Sequence, residues 1–244
     1  MKKVFLLAVV VIFASVMLQA QADEENSVKI PLIGMKAPSF EANTTNGPIV
    51  FPTDFGNKWK ILFSHPQDFT PVCSSELLEL ANLQKKFDEL NVKMAVISTA
   101  DVGSHEQWKK ALEGIQYKGR PATKIKFPLI DDVNRSVSKQ YGMIHPSISG
   151  TKGVRGVFII DPDDIIRAIF FYPLNIGRNT EEILRSVEAL QAATDVKMTP
   201  ADWKPGDDFM IAVPPVTDQR TENVPDGYYK LAWFMWYEKN KAKN

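Results

Sequence analysis

The sequence predicts an α/β protein: a mixed β-sheet flanked by helices, followed by a smaller C-terminal unit. Three observations point there. Short β-rich runs alternate with amphipathic stretches from Val28 to Ala193. Two late β-rich runs are separated only by a turn, so part of the sheet is antiparallel. After Thr194 prolines become frequent and helical periodicity stops.

The elements follow in order. "WKILFSH" (59–65) is β-branched and aromatic, and reads as a strand. "SSELLELANLQKKFDEL" (74–90) sets Leu77, Leu80, Leu83, Phe87 and Leu90 three or four apart, one apolar face of a helix. "VKMAVIST" (92–99) is a second strand and "HEQWKKALEGI" (105–115) a second helix. "KFPLID" (126–131) is extended, and "NRSVSKQYG" (134–142) is a short helix stopped by Gly142. "GVFIID" (156–161) and "IIRAIFFYP" (165–173), joined by "DPDD", form an antiparallel hairpin. "TEEILRSVEALQAA" (180–193) is a helix with Thr180 as its cap and Ile183, Leu184, Val187 and Leu190 as its stripe. "YYKLAWFMWYEK" (228–239) reads as a strand. Its aromatics are costly to expose, so they pack on the main domain or on a second subunit. The order suits a thioredoxin-like layout, which periodicity alone does not separate from other α/β folds.

Composition narrows the function. The 244 residues are 44% hydrophobic, enough for a substantial core. Lysine plus arginine number 29, as do aspartate plus glutamate, so no basic field attracts nucleic acid. The chain starts with "MKK", an uncharged run of 15 residues and "QAQA", with Ala20 and Ala22 in the small-residue pattern of a cleavage site. This reads as a signal peptide over 1–22, and the run is short of the ~20 residues of a spanning helix. Cleavage leaves 27 basic against 29 acidic residues, no stable membrane insertion, and a protein secreted or held in the secretory lumen. The sequons at Asn43 ("NTT") and Asn134 ("NRS") are then candidate glycosylation sites. His65, His105 and His145 lie 40 residues apart and make no local ligand pair, so the spacing predicts no metal site.

One cysteine remains. Cys73 cannot form an internal disulfide, so it is inert packing, an intermolecular partner or a reactive thiol. Taking Thr70 as N-cap makes Pro71 the first helical residue and puts Cys73 at the third position. An acidic side chain commonly closes a capping box there. First-turn N–H groups lack helical partners and the helix dipole favours an anion, so the position suits a thiolate. A nearby cation is needed to complete that environment.

"PQDFTPVC" fits P-x-x-x-T-x-x-C, with Pro66, Thr70 and Cys73, and resembles the active-site signature of peroxiredoxins. "GMKAPSFEANTTNG", "ILFSHPQDFTPVCSSEL", "FPLIDD" and "YPLNIGRNTEEILR" extend the resemblance to the one-cysteine branch over roughly residues 28–240. The resemblance implies a thioredoxin-like peroxidase domain at 28–193 and a C-terminal extension at 194–244 in the interface of a homodimer. It implies an antioxidant thiol peroxidase with Cys73 attacking hydrogen peroxide or an organic hydroperoxide, no cofactor, and an external reductant such as glutathione or a thioredoxin-like protein. Thr70 would hydrogen-bond the thiolate or peroxide, and Pro66 would shield the sulfenic acid. Arg155 matches the arginine that contacts the sulfur. Arg178 matches a second arginine nearby, with His65 and Glu76 in support. In "GNKWK" (56–60), Lys58 and Lys60 break the G-x-S-x-G of relatives with phospholipase activity, and Pro52 replaces a histidine, so that activity is not expected. A chaperone-like or interaction protein on the same scaffold is the alternative reading.

Overall fold

The computed structural model describes residues 28–240. The signal-peptide reading at 1–22 lies outside them. Strands β1 (Phe40–Ala42) and β2 (Ile49–Phe51) form a small antiparallel hairpin. The main sheet has five strands: β3 (Trp59–Ser64), β4 (Val92–Ser98), β5 (Leu129–Asp131), β6 (Arg155–Ile160) and β7 (Ile166–Tyr172). Its spatial order is β5-β4-β3-β6-β7. β3, β4 and β5 run parallel, whereas β6 is antiparallel to both β3 and β7. The helices are α1 (Pro71–Glu89), α2 (Val102–Leu112), α3 (Ser136–Gln140) and α4 (Thr180–Ala192). This is the mixed, thioredoxin-like sheet flanked by helices that the sequence predicts.

Both faces of the sheet are covered, which is why its central strands are mostly apolar. Side chains alternate across a strand. Ile61 and Phe63 of β3 therefore meet Leu77 and Leu80 of α1 and Ile183 and Val187 of α4 on one face. Leu62 points the other way, into a cluster with Phe40, Phe51, Tyr141 and Phe158. One polar exception is Lys60, buried in β3, whose ammonium reaches Asp164 in the β6–β7 turn.

Four elements depart from the sequence reading. The β1–β2 hairpin was unforeseen, because three-residue strands carry no measurable alternation. Helix α2 starts at Val102 rather than His105, since Asp101 caps it by accepting from the Ser104 N–H at 2.8 Å. Helix α4 is capped not by Thr180 but by Asn179, whose side chain accepts from the Glu181 and Glu182 N–H groups. Residues 228–239 form two strands, β10 (Tyr228–Ala232) and β11 (Met235–Glu238), because the chain turns back at Trp233 and Phe234.

With β8 (Lys197–Met198) and β9 (Phe209–Ile211) they make a four-stranded sheet of order β10-β11-β9-β8. Its aromatics divide. Trp203 and Trp236 are buried, and Tyr229 stacks on Tyr237, while Leu231, Trp233 and Phe234 stay exposed. Among the described residues no helix is long and apolar enough to cross a membrane. Asn43 and Asn134 are both exposed.

Candidate active site

The only cysteine sits in the first turn of α1. Thr70 is the N-cap with extended backbone (φ −108°, ψ 147°), and Pro71 is the first helical residue, as the spacing predicts. The Thr70 hydroxyl caps nothing in the helix. It donates instead to the Gln67 carbonyl at 3.0 Å, which tightens the preceding loop. Of the two partners expected for Thr70, the thiolate or the peroxide, neither is the one its hydroxyl meets here. The loop carries strain at Phe69, a non-glycine residue at φ 56° with an exposed ring, a conformation that costs ~1–3 kcal/mol.

Cys73 is fully buried, and Arg155 brings the cation the helix position calls for. Arg155 opens β6, the strand antiparallel to β3, and its Nη1 lies 3.3 Å from the Cys73 Sγ. The fork is held at its other end by the Leu174 carbonyl, which accepts from Nε at 2.9 Å and also from Nη2. Glu76, one turn along α1, accepts from Arg155 Nη1 at 2.7 Å. It also accepts from Arg178 three times: from Nε and the backbone N–H at 2.8 Å and from Nη2 at 2.7 Å. Arg178 donates further to the Gly156 carbonyl, and its guanidinium lies 3.4 Å from the centre of the Phe63 ring. Burial alone would push the Glu76 carboxyl up; the hydrogen bonds and charge of Arg178, with Arg155 behind them, outweigh burial and leave it below the ordinary value of 4.5. Two guanidinium groups thus share one carboxylate. The cluster keeps one unbalanced positive charge, and the sulfur is where an anion balances it.

The sequence motif also brings a second network. His65 and Pro66, at the end of β3, are buried. His65 Nε2 lies 3.0 Å from Asp68 Oδ1, and its ring packs on Trp108 at 4.9 Å between centroids. His105 Nδ1 lies 2.9 Å from Asp68 Oδ2, and its Nε2 3.0 Å from the Ile130 carbonyl. Ser104 donates to Asp68 Oδ2 at 2.8 Å. Burial depresses the His65 pKa below 6.5, only partly offset by Asp68. Asp68 is pushed up by burial, but the hydrogen bonds of His105 and His65 reverse this and hold it well below the carboxylate range.

The structure therefore joins Cys73, Glu76, Arg155 and Arg178 directly and puts Pro66, Thr70 and His65 in the loop before them. Sequence reasoning gave Glu76 only a supporting place, yet it is the hub of both arginines. It passed over Asp68, Trp108 and Ser104, although Asp68 stands inside the quoted motif. The histidines make no local ligand pair, as their spacing predicts, yet tertiary folding brings His65 and His105 together across 40 residues.

A buried thiol beside a guanidinium, with no second cysteine in the chain, marks a one-cysteine thiol site. The AhpC/TSA family model matches residues 33–169, and that for the C-terminal domain of 1-Cys peroxiredoxin matches 189–227. A peroxiredoxin from Methanosarcina mazei is 46% identical over 219 residues, covering 88% of this chain and 100% of that protein. Peroxiredoxin-6 from Bos taurus is 42% identical, covering 81% of this chain and 90% of the relative. Among solved structures, the yeast mitochondrial 1-Cys peroxiredoxin superposes with a TM-score of 0.73 at 38% identity, covering 86% and 99% of the two chains. Peroxiredoxin 6 of Arenicola marina gives the same TM-score at 32% identity, with the same coverages. The chain belongs to the peroxiredoxin (AhpC/TSA) family, in its one-cysteine branch, and is a thiol peroxidase.

Proposed function

We propose that Cys73 is the peroxidatic residue and reduces hydrogen peroxide and organic hydroperoxides. The observation that carries this is the 3.3 Å contact between Arg155 Nη1 and Cys73 Sγ in a cluster with one positive charge to spare. The thiolate attacks the terminal peroxide oxygen and the O–O bond breaks. The sulfur leaves as sulfenic acid, and the other oxygen takes a proton and departs as water or alcohol. Arg155 stabilises the anion on sulfur and then the charge passing to the peroxide oxygens. Glu76 and Arg178 hold Arg155 in place, and Pro66 shields the product. Thr70 turns its hydroxyl from Gln67 to the bound peroxide.

No second cysteine can resolve the sulfenic acid, so two equivalents of external thiol do. The first forms a mixed disulfide with loss of water, and the second releases Cys73. Glutathione or a thioredoxin-like protein fits. The yeast mitochondrial relative resolves its thiol via glutathione/thioredoxin systems. The working form is a homodimer: β7 lies at the edge of the main sheet, and Leu231, Trp233 and Phe234 present apolar surface at the tip of the C-terminal hairpin. The charged start, apolar run and Ala20/Ala22 pattern direct the chain into the secretory route. The relatives named above, each a peroxiredoxin, lend nothing to the chaperone-like alternative.

Stopped-flow mixing with peroxide, read by Trp108 fluorescence, tests the assignment: the native chain gives a fast transient and Cys73→Ser none. Full turnover by that variant overturns it. Analytical ultracentrifugation tests the dimer, and intact-mass measurement of secreted protein tests cleavage after Ala22 and sugar at Asn43 and Asn134.

A further inference from the structure

Beside the sulfur site lies a second group of ligating side chains that the peroxidase reaction does not consume. His65 from the end of β3, Asp68 from the loop and His105 from α2 are all buried. Their ligating atoms lie within 4.8 Å of one another, the one such group of three among the described residues. The hydrogen bonds here do not close with neutral partners. His105 Nε2 faces the Ile130 carbonyl at 3.0 Å and Nδ1 faces the Asp68 carboxylate at 2.9 Å, so both ring nitrogens meet acceptors. A neutral imidazole has one N–H. If Nε2–H serves Ile130, the Nδ1 lone pair confronts an anion unless a cation lies between them, either a second proton or a metal ion. His65 adds a second sign. Its Nε2 points at Asp68 Oδ1, while its Nδ1 is buried without a hydrogen-bond partner. Moving the ring proton to Nδ1 gives up the hydrogen bond to Asp68 and frees Nε2 as a ligand, so the ion's bonds to Nε2 and to the carboxylate take the place of that contact.

We propose that His65 Nε2, His105 Nδ1 and the Asp68 carboxylate form a binding site for a borderline divalent cation of the Zn²⁺ type. Two imidazoles and one carboxylate are a donor set that such ions prefer over Mg²⁺ or Ca²⁺. The His65–Asp68 and His105–Asp68 separations of 3.0 and 2.9 Å approach the about 3.3 Å that two ligands at about 2.0–2.1 Å subtend around a tetrahedral ion. The outer contacts are in place. The Ile130 carbonyl accepts from His105 Nε2, which fixes Nδ1 as the ligating atom, and the Ser104 hydroxyl orients Asp68 Oδ2. A cavity of about 450 Å³, lined by Pro66, Asp68, Phe69, Thr99, Ser104 and Lys152, reaches the carboxylate side of the group, while the two imidazoles lie behind it. An ion here ties the loop before Cys73 to α2. The site rests on these contacts alone and stands or falls separately from the role of Cys73.

The test uses the full chain carrying Cys73→Ser, which removes the thiolate as a competing ligand, titrated with Co²⁺ and Zn²⁺. The expected result is saturable binding of one ion per chain and a rise in Tm with metal concentration. The imidazole NMR signals of His65 and His105 shift and broaden with Co²⁺, while those of His145, whose Nε2 faces the Gly142 carbonyl, do not. Ser104→Ala weakens binding roughly 10-fold or more, and Asp68→Asn abolishes it. Absence of saturable binding, a response at His145 only, or unchanged affinity in Asp68→Asn overturns the proposal. Should Asp68→Asn fail to fold, the imidazole spectra of the chain with all three ligands intact decide the matter.

Discussion

At the residue scale the decisive relation is between one sulfur, two guanidinium groups and one carboxylate. Removing Arg155 takes away the charge-assisted contact at Sγ. Arg155→Met therefore lowers the second-order rate with peroxide by about 10²–10³, as for loss of one preorganised donor at a developing charge. Arg155→Lys keeps the charge but loses the fork that Leu174 holds through Nε and Nη2, and falls between the two. Single-turnover stopped flow ranks all three. Glu76→Gln acts differently, because it leaves two buried guanidinium groups without their anion. It costs about 3–5 kcal/mol of stability in urea unfolding, the range seen when one partner of a buried pair is removed.

At the scale of elements, the first turn of α1 was legible because its signals are local. Thr-Pro fixes the N-cap and the first helical residue, and their spacing to Cys73 sets the sulfur in the first turn. The start of α2 reads three residues late and the cap of α4 one residue late, because several polar residues adjoin each start. Only the backbone direction decides whether Asp101 or Asn179 can reach the free N–H groups. Gly142 shows an element end under tertiary control. It has φ 63° at the close of α3, and a Cβ there would meet Ile30 Cγ1 at 2.6 Å and the Lys29 carbonyl at 2.8 Å. Gly142→Ala thus pays for the left-handed backbone and also pushes the segment before β1 off α3. We expect a loss of about 2–4 kcal/mol in chemical denaturation. Gly206, at φ 97° with nothing within 4 Å of a new Cβ, is the control, and its alanine variant loses only about 1–2 kcal/mol.

At the scale of the whole molecule, buried titratable groups set the response to acid. His65 has a folded pKa below 6.5, so the unfolded chain binds a proton there first as pH falls. Its contribution is full above about pH 6.5 and is lost on acidification. Glu76 and Asp68 have folded values below 4.5 and 3.8, and their contributions are present above those values and lost as pH falls further. In the metal-free chain all three signs agree, because the unfolded state binds more protons in each window. Tm should therefore decline from about pH 6.5 downward and more steeply below about pH 4.5. His65→Gln should flatten the first part in scanning calorimetry. A Tm that rises between pH 6.5 and 5 contradicts this account.

The sequence by itself determined the α/β class, the strand and helix order from Trp59 to Ala192, and the placing of Cys73 in a helix's first turn. Those features rest on side-chain periodicity and on capping chemistry within a few residues. Tertiary structure decided the rest. Arg155 reaches the sulfur because antiparallel β6 lies beside β3, a fact no local pattern carries. Glu76 became the hub of Arg155, which opens β6, and Arg178, from the loop just before α4, and His65 met His105 across Asp68. Buried charges must be matched wherever the chain can bring a counter-charge, and the sheet order, rather than distance along the sequence, settles which residues those are.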